Sequence, residues 1–261
     1  MKIFKFALPI ALLFLTISCQ QSPMVQDDAG AQIQGKLFII GGGKRPVSMI
    51  DRMISESGVD ESGYILILPL ASGEPDSAIY YSSKQFSDRG VDNIMSVKTA
   101  DLSGDPTSLV NLIKSASLIY ISGGDQNRFM ELIQGGPVKE SIHEAYIKGA
   151  CIAGTSAGAA VMSEKMITGR ELKHPVYTGR FPFIEANNIV LGKGLGLIDE
   201  AIIDQHFLKR ERWNRLISVC LENPENVCIG RDESTAILVK GGKAEVLGEN
   251  QVIALQHTCA E

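Results

Sequence analysis

Ala150-Cys151-Ile152-Ala153-Gly154-Thr155-Ser156-Ala157-Gly158-Ala159-Ala160-Val161-Met162 decides the fold. The first four residues are apolar without alternation, which suits a strand buried on both faces. The last four are small or apolar and compatible with a helix. Between them, Gly154-Thr155-Ser156-Ala157-Gly158 matches G-x-S-x-G, which in a strand–turn–helix context forms a nucleophile elbow. Side chains at Gly154 and Gly158 would collide with adjacent backbone in so tight a turn. The helix start offers backbone N–H groups and the positive end of a dipole. The Ala157 N–H is thereby placed to stabilise an oxyanion, with a second donor expected from Gly123 or Gly124. A Gly/Ala-rich turn with an incidental serine would show the same letters, so the serine must be judged by its partners.

Outward from this stretch, similar apolar runs recur at Leu37 to Ile40, Tyr64 to Leu68 and Ser117 to Ile121. Helical patterns separate them: Val47 to Ser57, Asp76 to Arg89, Pro106 to Lys114 and Val138 to Lys148. Such alternation predicts an α/β fold with a mostly parallel sheet sandwiched by helices. Thr235 to Val239, Lys243 to Leu247 and Val252 to Leu255 predict C-terminal antiparallel edge strands on the same sheet. No repeat or linker interrupts 35–261, which reads as one domain. Ligands of open α/β sheets bind beyond the carboxyl ends of the strands. Gly41-Gly42-Gly43, Gly123-Gly124 and Gly154 therefore point to one site. Neither a dinucleotide fingerprint nor a P-loop is present in a fitting context.

A serine hydroxyl needs a base. Of the four histidines, His143 falls within a helical pattern and His257 at the carboxyl end, while His174 sits in a Pro-containing loop. His206 follows the strand-like run Ile198 to Gln205 and opens an expected helix, so it too lies at a strand's carboxyl end. The base in turn needs an orienting carboxylate. Asp232 and Glu233 both follow an apolar stretch, and neighbours on an extended chain point oppositely, so spacing leaves them open. Lys209, Arg210, Arg212 and Arg215 cluster after His206. On a helix, His206 pairs with Arg210 and Arg212 with Arg215. They form either a solvated face or a site for substrate carboxylates. Cys220 and Cys228 could pair in an exported protein, and no Cys/His spacing suggests a metal site.

The 261 residues carry a net charge of −5, with 44% hydrophobic and 21% charged residues. This apolar content excludes whole-chain disorder, and the acidic balance argues against a nucleic-acid partner. Residues 1–18 read as a signal peptide, with basic Lys2 and Lys5 before an apolar run too short to span a membrane. Leu15-Thr16-Ile17-Ser18-Cys19 resembles a bacterial lipoprotein cleavage site. The expectation is an exported protein whose lipidated Cys19 provides a membrane anchor, followed by a flexible tether over 19–34.

Four segments together resemble the cyanophycinase branch of the serine peptidases related to peptidase E: Ser122-Gly123-Gly124-Asp125-Gln126, Gly154-Thr155-Ser156-Ala157-Gly158-Ala159, Asp204-Gln205-His206-Phe207 with the arginines that follow, and Asp232-Glu233. The resemblance runs from about Lys36 to Leu255. It implies a class I glutamine amidotransferase-like fold with an elbow serine. It also implies hydrolysis of cyanophycin to β-Asp-Arg dipeptides, without metal or organic cofactor. Ser156 would be nucleophile, His206 base and Glu233 orienting acid. Gln126, Asp204, Gln205, Arg210, Arg212 and Arg215 would line the substrate pocket, and a homodimer is expected by analogy. Gly41-Gly42-Gly43-Lys44-Arg45 departs from the family in lacking acidic residues. A second departure is the long Lys165 to Gly194 segment between nucleophile and base. Other readings are an aspartyl or isoaspartyl dipeptidase of the peptidase E type, and a catalytically silent binding lipoprotein.

Overall fold

Strands apolar on every residue have no face to offer water, so they must lie inside a sheet covered on both sides. A computed structural model describes residues 33–176 and 178–257 and shows this arrangement. The signal-like stretch, Cys19 and all of the tether but its last two residues lie outside the described residues. In chain order the elements are β1 (Lys36–Ile40), α1 (Val47–Ser57), β2 (Ile65–Leu68), α2 (Pro75–Ser87), β3 (Ile94–Ser96), α3 (Pro106–Lys114), β4 (Leu118–Ile121), α4 (Gln126–Ile133), α5 (Val138–Ile147), β5 (Cys151–Thr155) and the single turn α6 (Ala157–Ala160). They continue with β6 (Lys165–Glu171), β7 (Ile189–Lys193), β8 (Ala201–Asp204), α7 (Trp213–Glu222), β9 (Val227–Arg231), β10 (Thr235–Lys240), β11 (Lys243–Gly248) and β12 (Val252–Leu255).

The main sheet has the order β11-β10-β1-β5-β4-β2-β3. The five strands from β1 to β3 are parallel, and β10 joins β1 antiparallel. Side chains alternate across this sheet with period two. Leu37, Ile39, Leu66, Leu68, Ile119 and Ile121 meet Ile113, Phe129 and Ile142 from α3, α4 and α5. Phe38, Ile40, Ile65, Ile67 and Tyr120 meet Met49 and Met53 of α1 and Phe86 of α2 on the other face. This is the expected α/β sandwich.

Two details differ from the sequence expectation. β10 and β11 form the antiparallel edge, but β12 leaves it and pairs with β9 in a separate sheet of order β12-β9-β8. After β11 the chain is drawn back by Glu249 N–H to Ser234 O (3.0 Å) and by Asn250 N–H to Thr235 Oγ1 (2.8 Å). Ile253 and Leu255 then pack on a third cluster that includes Phe207, Leu216 and Val219. The second difference follows His206, where a run of turns replaces the expected helix and α7 starts only at Trp213.

Candidate active site

The carboxyl ends of β1, β4, β5, β8 and β9 converge. Ser156 follows β5 with φ 54° and ψ −114°, a conformation costly for a residue with a Cβ. It is held there by Ser156 N–H to Ile40 O (3.1 Å) and by Ala159 and Ala160 N–H groups donating to Ser156 O (3.0 Å each). The flanking glycines are needed for the expected steric reason. A Cβ at Gly154 would lie 2.2 Å from Gly158 O, and one at Gly158 would lie 2.2 Å from Ile121 O. Gly123 faces the serine, its Cβ position 3.3 Å from Ser156 Cβ.

His206 follows β8 with φ 48°, fixed by its N–H to Gly41 O (2.8 Å). Its Nε2 lies 2.9 Å from Ser156 Oγ, and its Nδ1 lies 2.7 Å from Glu233 Oε1. An ionised carboxylate can only accept, so Nδ1 carries the proton and Nε2 is left to accept from the serine hydroxyl. Burial lowers the His206 pKa below the usual imidazole value. The Glu233 hydrogen bond opposes that shift, and the nearby Arg210 and Arg212 charges add to it. The net shift favours the neutral imidazole, the form able to take a proton.

The structure separates the two adjacent acids. Glu233 turns to His206, while Asp232 Oδ1 accepts the Lys209 N–H (3.0 Å) and ties down the turn after the histidine. The sequence missed why the first glycine loop exists. A Cβ on Gly42 would lie 2.3 Å from His206 Cε1, and one on Gly43 would lie 2.7 Å from Glu233 Cβ. The loop is a bed for the His–Glu pair. Its signal was three glycines at a strand end, but only the fold shows what rests on them.

The expected pocket residues fare differently. Arg210 is exposed, and its charge acts on His206. Asp204, Arg212 and Arg215, expected to line the pocket, form a buried internal network. Arg215 grips the Asp204 carboxylate from two nitrogens, with Nε to Oδ2 at 2.9 Å. Arg212 Nη1 donates to both the backbone and side-chain oxygens of Gln205 (2.6 Å each) and stands 3.5 Å from Asp204 Oδ1. These side chains are at most 6% exposed. A buried carboxylate left alone would be very costly, and its own chain's arginines neutralise it. Gln126 is buried and donates to Ile167 O (2.9 Å), anchoring β6 to α4. His174 pairs with Glu185 (2.6 Å) and His143 with Leu195 O (2.6 Å). Cys220 and Cys228 are free thiols, and burial pushes Cys228 up to about 12.

Residues 37–247 match the sequence profile of Peptidase family S51. The chain belongs to that family. The cyanophycinase of Trichormus variabilis (strain ATCC 29413 / PCC 7937) is 32% identical over 228 residues, covering 85% of this chain and 74% of its own length. That of Geminocystis herdmanii (strain PCC 6308) is 31% identical over 226 residues, 84% of this chain and 80% of its own. The crystal structure of a peptidase from an acI-B1 actinobacterium shares the fold, with TM-score 0.65 at 24% identity over 86% of this chain and 91% of that one. As an S51 member with these relatives, the chain is a peptidase, and its sheet and flanking helices are of the peptidase E type.

Proposed function

We propose that this S51 peptidase is a serine exopeptidase of the cyanophycinase kind, hydrolysing cyanophycin to β-Asp-Arg dipeptides. The observation that carries the reading is the unbroken chain from Ser156 Oγ through the His206 ring to Glu233, at 2.9 and 2.7 Å. Its support in likeness is the pair of cyanophycinases at 31–32% identity.

His206 Nε2 takes the hydroxyl proton as Ser156 Oγ attacks the scissile carbonyl, and Glu233 holds the ring and stabilises the imidazolium. Oxyanion charge falls to the Ala157 N–H, with a second donor from the Gly123-Gly124 loop. Collapse of the adduct gives the leaving amine its proton from His206 and leaves an ester on Ser156. Water, deprotonated by the same imidazole, then releases the acid. Arg210, exposed beside the base, is assigned to a substrate carboxylate. Asp204 is not assigned to substrate guanidinium, since Arg215 already holds it. The signal-like start extends the proposal to export, with Cys19 lipidated.

The test is incubation of the protein with purified cyanophycin beside Ser156→Ala, with products read by mass spectrometry. Release of β-Asp-Arg by the parent protein, with kcat about a millionfold lower in the variant, is the expected outcome. Undiminished hydrolysis by the variant would end the serine mechanism. Failure on cyanophycin with cleavage of α-aspartyl dipeptides would move the substrate to the peptidase E type.

A further inference from the structure

Arg231 is the largest fully buried side chain among the described residues, at 0% exposure, and none of its three guanidinium nitrogens has a hydrogen-bond partner. An unpaired buried cation is among the most costly groups a fold can hold, and such an exception calls for a ligand or a role. The neighbouring acid, Asp204, attracts this charge, but its carboxylate is already hydrogen-bonded to Arg215. Burial lowers the Arg231 pKa to about 9, which still leaves the group cationic at neutral pH.

Arg231 is among the residues that line a cavity of about 290 Å³. Period two along β9 puts Val227, Ile229 and Arg231 on one face, and all three line this space. The opposite wall is aliphatic: Leu37 and Ile39 of β1, and Ile237 and Val239 of β10. The cavity therefore lies between the main sheet and the β12-β9-β8 sheet. Exposed Gly241, Gly242, Lys243 and Glu200 line its outer end, and buried Ile39, Ile237 and Arg231 its inner end. Its size is near the lower bound of small-molecule sites, which are mostly apolar with a few placed polar groups. It is separate from the Ser156–His206–Glu233 cluster, none of which lines it.

We propose that this cavity is a binding site for an unbranched aliphatic carboxylate, its chain between the two sheets and its head group on Arg231. One bidentate carboxylate satisfies the fork that the protein leaves empty, and the aliphatic walls exclude water from the tail.

The test is thermal unfolding of the full chain with decanoate, kept well below its micelle concentration, against decan-1-ol and acetate. Binding to the native state raises Tm by roughly 5–8 °C at about a hundredfold excess over Kd. The expected result is such a rise with decanoate, a markedly smaller one with the alcohol and none with acetate. Arg231→Met keeps an unbranched apolar stem and removes the charge. It is expected to raise the ligand-free Tm, because an uncompensated buried charge is gone, and to lose the decanoate response. Val239→Phe, on the cavity wall, is expected to lose the response with Arg231 intact. It serves as the deciding variant should Arg231→Met fail to fold. No decanoate shift, or an equal shift in either folded variant, overturns the proposal. Hydrolytic activity enters none of these readouts, so the result stands apart from the proposed reaction.

Discussion

Ser156 and His206 both hold backbone angles that L-residues avoid, at φ 54° and 48°, and Ser234, next to Glu233, holds a third at 56°. Strain gathered on the residues around one hydrogen-bonded chain marks a geometry the fold overdetermines. The chemistry of that chain is set by opposed effects on the imidazole. Desolvation and the arginine charges favour the neutral ring, and the Glu233 bond favours the cation. In the proposed mechanism His206 must be neutral to take the proton, so kcat/KM is expected to fall as pH drops through a midpoint below the ordinary imidazole value near 6.5. Glu233→Gln removes the main effect that raises the pKa, so its midpoint should move lower still. Its kcat should fall by roughly a hundredfold or more, because the ring loses the acceptor that fixes its tautomer. A pH–rate series on both proteins checks this. A midpoint unmoved in the variant would separate Glu233 from the base.

At the scale of elements, the glycine loop after β1 and the strand ends beyond it form one assembly. His206 N–H donates to Gly41 O, and Ser234 N–H donates to Gly42 O at 2.9 Å, so the loop binds the backbones of both the histidine and acid segments. Gly42 also has φ 118°, a region that a side chain rarely enters. Gly42→Ala is therefore expected to cost about 1–3 kcal/mol of stability and to push the imidazole aside. Displacement of a reacting group by about 1 Å can lower the rate about a hundredfold. Gly58→Ala is the matched control, since Gly58 has φ 66° but nothing within 4 Å of its Cβ position. Both variants should lose Tm in an unfolding scan, and only Gly42→Ala should lose activity. Equal rates in the two would remove the loop from the active site. The Asp204–Arg215 pair works at this scale too, clamping the start of α7 to the end of β8.

At the scale of the whole molecule, helices close both faces of one sheet, and the candidate site sits along its carboxyl edge. The hydrogen-bonded partners come from positions 50 and 27 residues apart, so the site exists only when the sheet does. The proposed address belongs to this scale as well. Cys19→Ser, expressed from the full gene in a bacterium that processes lipoproteins, is expected to move the protein from the membrane fraction to the soluble exported fraction. Fractionation with detection of the protein reads it, and an unchanged distribution would refute the anchor. A single acyl chain binds membranes only marginally, so a stable membrane fraction also requires the second signal of a multiply acylated cysteine.

Much of the fold was legible because its information is local. Runs such as Ile65–Leu68 and Leu118–Ile121 are apolar on every residue and declare buried parallel strands, and Gly154 and Gly158 declare the turn around Ser156. By itself the sequence determined the α/β alternation, the tight turn around Ser156 and the residue types that could act beside it. The choice between Asp232 and Glu233 was not local, because it depends on which way each points across a loop packed on Gly43. Nor was the fate of Arg212 and Arg215: a basic run reads alike whether solvated, substrate-facing or buried, and only the packing of α7 on β8 brings it to Asp204. The departure of β12 to a second sheet follows from hydrogen bonds at Ser234 and Thr235, far from its own letters. The cavity beneath Arg231 exists only between two sheets. Periodicity is a property of neighbours along the chain, whereas the pairing of charges and the shape of a void are properties of surfaces that meet only after folding.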